Sequence, residues 1–88
     1  MIEREFKITN EFGLHARPAG RVATLASQFD ANIELGSREE WVNARSILSL
    51  LSLAIASGSF VRIKAEGPDE KQAVETIGAL LTGLGNDH

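Results

Sequence analysis

Charged and apolar residues alternate over residues 2–8, which predicts a strand with one buried face. Ile2, Phe6 and Ile8 share that face, and Arg4 is its one exception. The period then changes to that of a helix, because apolar positions recur every three or four residues from Ala16 to Phe29. These positions are Ala19, Val22, Ala23, Ala26 and Phe29. A loop over residues 10–13 separates the two elements.

The middle of the chain predicts a hairpin followed by a second helix. Residues 32–35 form a short strand in which Ile33 and Leu35 share a face, residues 36–40 form a turn, and residues 41–43 return as a strand. Ser46 stands before an apolar run that ends near Leu53, at the position of a helix N-cap. The sequence Ser57-Gly58-Ser59 interrupts this run.

The last third predicts one more strand and one more helix. Residues 60–66 alternate cleanly, with Val61, Ile63 and Ala65 on the inner face. Gly67-Pro68-Asp69-Glu70 is typical of a helix start with acidic residues in its first turn. The helix continues at apolar positions that end at Leu84, with Gly83 and Gly85 near its end.

The predicted order β-α-β-β-α-β-α indicates an α+β open sandwich. Each strand buries one face, and the helices are needed to cover it. We expect the other face of the sheet to carry Glu34, Arg62 and Lys64. The length of 88 residues predicts a single domain over residues 1–88.

Composition narrows the classes of function. The nine basic residues are scattered and the formal net charge is −3, which disfavours a nucleic-acid binder. The absence of cysteine excludes thiolate chemistry, and two histidines make a metal site unexpected. Residues 47–56 are too short an apolar run to span a membrane, and the charged N-terminus does not resemble a signal peptide. We therefore expect a cytoplasmic protein.

One stretch combines groups suited to phosphate chemistry, namely Gly13-Leu14-His15-Ala16-Arg17-Pro18-Ala19-Gly20. Imidazole is a nucleophile when neutral, and it titrates near neutral pH. The predicted helix start places the free amides of Ala16 and Arg17 beside His15, where they favour an anion. The Arg17 guanidinium adds donors that match phosphate oxygens. The pattern predicts that His15 accepts a phosphoryl group.

Three segments resemble the HPr family, the histidine-containing phosphocarriers of the bacterial sugar phosphotransferase system. They are Gly-Leu-His-Ala-Arg-Pro-Ala at 13–19, Val-Asn-Ala-Arg-Ser-Ile at 42–47 and Gly-Pro-Asp-Glu at 67–70. The resemblance implies a four-stranded antiparallel sheet covered on one face by three helices. It also implies that His15 accepts phosphate on Nδ1 from enzyme I and passes it to EIIA components of sugar transporters. A monomeric carrier of this kind needs no cofactor or metal.

In family members from organisms with HPr kinase/phosphorylase, the serine at the place of Ser46 is phosphorylated, which changes partner choice; the resemblance therefore implies that Ser46 is a site for this kinase where the organism has one. As an alternative, Ser46 only caps its helix. The helix after Ser46 has more large apolar residues than one buried face requires, so we expect a docking patch that includes Ile47, Leu48 and Leu51. The other interpretation is a short helix buried at both ends. Arg21 faces either an acidic partner or water.

Some positions differ from the commonest Gram-positive pattern of the family. Ser49 replaces a frequent glycine, Leu48 and Leu51 replace methionines, and Gly20 replaces a larger or hydroxyl-bearing residue. These differences leave recognition of Ser46 by a kinase open. Competing hypotheses are an enzyme that uses His15 as a general base, an HPr-like regulatory module without phosphate transfer, and a nitrogen-branch phosphocarrier. Because no serine or carboxylate stands at a recognisable spacing from His15, we expect a stoichiometric carrier and no enzyme.

Overall fold

The computed structural model describes residues 1–8, 16–53, 55–56 and 58–82. Within these ranges the chain forms four strands and three helices in the predicted order β-α-β-β-α-β-α. The strands are β1 (Ile2–Lys7), β2 (Asn32–Ser37), β3 (Glu40–Asn43) and β4 (Phe60–Glu66). The helices are α1 (Ala16–Ala26), α2 (Ile47–Ser52) and α3 (Glu70–Leu81).

The strands form one antiparallel sheet in the order β1-β4-β2-β3. The two central strands supply most of the buried face, as the alternation predicts: Ile33 and Leu35 from β2, and Val61, Ile63 and Ala65 from β4. On the edge strand β1, Ile2 and Phe6 pack against this core. Ile8, the residue after β1, is fully buried. The predicted inner faces are therefore confirmed.

The helices cover the apolar face of the sheet. Helix α3 packs over β1 and β4, α2 contacts β3, and α1 contacts both other helices. Gly78 of α3 lies so close to the Phe6 ring that a Cβ at this position would stand 2.4 Å from it. None of the polar or charged residues that the structure describes is buried. The core is thus wholly apolar, and its fit includes one backbone-to-ring contact between α3 and β1.

The opposite face of the sheet carries charges around one aromatic ring. Lys64 pairs with Glu34 across the strands at 3.3 Å, as expected for this exposed face. The Trp41 ring lies against Gly36, with the Arg62 guanidinium 4.6 Å and the Lys64 ammonium 4.2 Å from its centroid. Cations at this distance are attracted to the indole ring. The side chains on the open face therefore contact one another.

Several boundaries differ from the expectation. Helix α1 ends at Ala26 and not near Phe29. The Ser27 N–H still bonds four residues back, but the next two amides bond three residues back, Gln28 N–H to Leu25 O and Phe29 N–H to Ala26 O. Phe29 still packs against the core from this turn. The predicted turn over residues 36–40 is shorter than expected, because β2 extends to Ser37 and pairs there with Glu40, the first residue of β3. The predicted end of α3 around Leu84 lies outside the described residues.

Candidate functional site

The start of helix α1 forms the first part of the site. The helix begins at Ala16, so His15 is the residue joined directly to its first position, as the sequence predicts. His15 itself lies outside the described residues. Pro18 occupies the first turn, where its missing N–H leaves no helical hydrogen bond unmade. The first turn contains no acidic residue, so no carboxylate in it opposes an anion at this helix end.

Two arginines follow on α1. Arg17 lies in the first turn and is exposed, whereas Arg21 is half-buried one turn later. Residues four apart lie on the same side of a helix, so the two guanidinium groups project from neighbouring positions. Arg21 takes part in contacts of its own within the protein. The helix therefore presents a positive side near its N-terminus.

Ser46 begins the second part of the site, as the N-cap of α2. Its backbone is extended, as is usual for an N-cap. Its side-chain oxygen accepts the Ser49 N–H at 3.2 Å and so satisfies one amide of the helix start. The predicted cap is confirmed. The side chain is half-buried, and the first turn of α2 contains no acidic residue.

Helix α2 exposes apolar side chains directly after this cap. Ile47 is 44% exposed and Leu48 is 81% exposed, whereas Leu51 packs partly against the core. Leu50 is the buried residue of the helix, so α2 covers the core with one side only. Leu53, which follows the helix, is also buried. The surplus of apolar residues noted in the sequence is thus exposed at two positions, Ile47 and Leu48, which we call the apolar pair.

The shifted pKa values lie elsewhere, at the start of α3. The Asp30 N–H, and with it the Ala31 N–H and the charge of Arg45, hold the pKa of Asp69 below its usual range. The Gly67 N–H, together with the Met1 amino group, lowers the pKa of Glu70. The Asp69 carboxylate thus connects the start of α3 to the turn after α1, and the Glu70 carboxylate connects it to the N-terminus. Within the described ranges, no three histidine, cysteine or acidic side chains form a cluster that could hold a metal ion.

Comparison with known proteins assigns the family. The model of the family described as "PTS HPr component phosphorylation site" matches residues 2–83. The phosphocarrier protein HPr of Vibrio cholerae is 42% identical over 84 residues, which cover 96% of this chain and 99% of that protein. The chain belongs to the HPr family. The general role that comes with this membership is that of a phosphocarrier component of the phosphotransferase system.

Solved HPr structures share the fold. HPr-C-His of Thermoanaerobacter tengcongensis superposes with a TM-score of 0.92 at 35% identity, covering 100% of this chain and 99% of that one. An HPr dimer from the same organism gives a TM-score of 0.76 at 36% identity, with 99% and 100% covered. The fold expected from the resemblance, an open antiparallel sheet with three helices, is therefore confirmed. No helix in the described part of the chain is long and apolar enough to cross a membrane.

Two residues of this HPr chain, Asp69 and Arg45, connect the elements around the site in a way that the sequence does not predict. Asp69 was expected only as part of a helix start, but its side chain makes no cap bond and reaches the turn after α1. Arg45 was noted only within a family motif, yet its guanidinium contacts the end of α1. Their partners are backbone groups 14 to 39 residues away, so no local pattern marks these contacts.

Proposed function

We propose that this chain carries a phosphoryl group on His15, received from the phosphohistidine of enzyme I and passed to EIIA components of sugar transporters. Membership of the HPr family, together with Gly-Leu-His-Ala-Arg-Pro-Ala at the start of α1, is the observation that carries the proposal. Residues 1–88 act as one HPr domain, a monomer without cofactor in the cytoplasm.

The transfer step needs only a nucleophile and groups that hold the phosphate. The lone pair of the neutral His15 Nδ1 attacks phosphorus, a P–N bond forms at His15, and the P–N bond of the donor breaks. The donor imidazole leaves with the electron pair of that bond. The amides of Ala16 and Arg17 and the exposed Arg17 guanidinium offer donors to the phosphate oxygens. An exposed arginine favours reversible transfer over tight retention.

Radiolabelled phosphoenolpyruvate and enzyme I test the proposal. Wild-type chain takes up label and gives it to an EIIA protein, whereas His15→Ala takes up none. Arg17→Lys, which keeps the charge but loses the guanidinium fork, slows uptake. Label on the His15→Ala variant would refute the assignment of His15. A sugar-branch and a nitrogen-branch EIIA, offered separately, decide between the two kinds of phosphocarrier.

Ser46 is the proposed regulatory position for HPr kinase/phosphorylase. A phosphate there is tolerated by the helix start, since the first turn of α2 holds no acidic residue. The same charge stands next to the apolar pair and opposes the docking of acidic partners. Ser46→Asp and Ser46→Asn form a matched pair, because both side chains keep a cap acceptor and differ in charge. We expect Ser46→Asp, and not Ser46→Asn, to slow uptake of phosphate at His15; equal rates would contradict the regulatory role.

The apolar pair, with Leu51 behind it and Arg21 on α1, is the proposed docking surface for enzyme I and EIIA. Two exposed large apolar side chains on one short helix are typical of an interface centre, and arginine is common in such interfaces. An HPr-like module that docks without carrying phosphate is the competing function. It predicts binding to enzyme I without label transfer, so the same radiolabel experiment separates the two.

A further inference from the structure

Arg45 connects the start of α2 to the end of α1. It lies between β3 and the N-cap residue Ser46. Its Nε donates to the carbonyl of Ala26 at 3.3 Å, and its Nη2 donates to the carbonyls of Phe29 at 2.8 Å and Ala31 at 3.1 Å. One side chain thus contacts the last residue of α1 and two residues of the turn that follows it.

These contacts provide a positive charge at the C-terminal end of α1. The last carbonyls of a helix have no partner within the helix, and a cation near them is favourable. Helix α1 has no basic residue in its own last turn. The Arg45 guanidinium provides that charge from a position 19 residues further along the chain.

The same turn is held from its other side by Asp69. The Asp69 carboxylate accepts the N–H groups of Asp30 and Ala31, each at 2.9 Å. Ala31 therefore donates to Asp69 and accepts from Arg45. The guanidinium of Arg45 is thus bonded to a turn that Asp69, at the start of α3, also holds, and α2 begins two residues after Arg45.

We propose that Arg45 is a positioning residue for partner docking, which fixes the apolar pair relative to α1. Ile47 and Leu48 are the second and third residues after Arg45, and both are exposed. The other end of α1 carries Arg17 in its first turn. This inference rests on the proposed function, because a partner that takes phosphate from the start of α1 while it contacts α2 needs both at a fixed separation.

Steady-state phosphoryl transfer, with enzyme I as the enzyme and this chain as its substrate, tests the proposal. We expect Arg45→Ala to raise KM roughly fivefold or more with little change in kcat, since docking changes and His15 does not. Arg45→Lys, which keeps the charge but can reach fewer carbonyls, gives a smaller increase. Arg4→Ala is the matched control, because it removes an exposed arginine from β1, at the sheet edge opposite to β3.

A double-mutant cycle with Leu48→Ala separates positioning from a direct contact between Arg45 and an acidic partner. If Arg45 acts through the apolar pair, Arg45→Ala adds little to the KM of Leu48→Ala. If the guanidinium touches the partner itself, the two fold-changes multiply, and the increase in KM shrinks at high salt. Multiplying effects, or an unchanged KM for Arg45→Ala, would overturn the proposal.

A measurement on the isolated protein keeps this inference distinct from the proposed function. Residual dipolar couplings of backbone amides report the angles between helices in solution. We expect Arg45→Ala and Arg45→Lys to change the angle between α1 and α2 and to leave α3 in place against the sheet. An unchanged angle overturns the positioning role even if the wild type accepts phosphate. Failure of the wild type to accept phosphate, with a changed angle, overturns only the proposed function.

Discussion

Helices α2 and α3 use their apolar residues in opposite ways. Helix α3 has 12 residues and buries five of them against β1 and β4: Ala73, Val74, Ile77, Gly78 and Leu81. Helix α2 has six residues, of which only Leu50 is buried, and it leaves Ile47 and Leu48 in solvent. Burial stabilises the fold, whereas the exposed parts of Ile47 and Leu48 contribute little to the free energy of unfolding. The comparison assigns α3 to the stability of the fold and leaves the exposed side of α2 available for the proposed contact with other proteins.

The largest expected effect is on the α3 side. Ile77→Ala removes a fully buried side chain from the core and leaves a cavity, so we expect it to lower the free energy of unfolding by about 2–5 kcal/mol. Urea denaturation followed by circular dichroism measures this loss. Under conditions in which Ile77→Ala remains folded, we expect it to transfer phosphate at the wild-type rate. A loss below about 0.5 kcal/mol would contradict the role given to α3.

Gly78→Ala sharpens the same point with a single methyl group. Alanine normally favours a helix by about 1 kcal/mol over glycine, but here its Cβ meets the Phe6 ring. We expect a net loss of about 1–3 kcal/mol from this overpacking. Gly20→Ala in α1 is the matched control, because nothing lies within 4 Å of the added Cβ. It is expected to stabilise the chain, and equal signs for the two variants would contradict the close contact.

Acid titration of Asp69→Asn tests the link between α3 and the turn after α1. The folded pKa of Asp69 lies below the unfolded one, because two backbone N–H groups and Arg45 favour the carboxylate. Its contribution to stability is therefore complete above the unfolded pKa of about 3.9 and is lost as pH falls through the folded pKa. We expect Asp69→Asn to be less stable than wild type at neutral pH. The difference in stability between the two proteins, measured by thermal unfolding, should vanish at pH values below the folded pKa of Asp69.

Leu48→Ala is expected to have the smallest effect on stability. Its side chain is 81% exposed, so the free energy of unfolding should change by no more than about 0.5 kcal/mol. The KM for transfer from enzyme I should nevertheless rise. Glu75→Ala on the exposed side of α3 is the matched control and should change neither quantity. A stability loss comparable to that of Ile77→Ala would remove the distinction between the two helices.

The elements of this fold are predictable because each has a clear period. The alternation of β4 and the spacing of Ala19, Val22, Ala23 and Ala26 in α1 locate buried faces that the structure confirms. The end of α1 was not predictable, since hydrogen bonds in the turn and the distant Arg45 decide it. The position of Ser46 as an N-cap followed from one apolar run after a serine.

The site was predictable to a different degree. His15 and Arg17 stand out because a histidine and an arginine beside a helix start form a local pattern. The side chains of Asp69 and Arg45 form hydrogen bonds with backbone groups of distant residues. Because every residue has backbone groups, the sequence does not show which of them these side chains bind. Which apolar residues of α2 point outward also depends on the orientation of a six-residue helix, and a run this short does not fix its own orientation.

The ring on the open face of the sheet gives this molecule an optical property. Trp41 is the one tryptophan of the chain, which has no tyrosine, so the ultraviolet emission comes from a single position. That indole rests on Gly36 between two cations, on the side of the sheet away from the helices. Unfolding removes all three neighbours, so we expect it to change the emission. Tryptophan fluorescence therefore reports on whether the chain is folded.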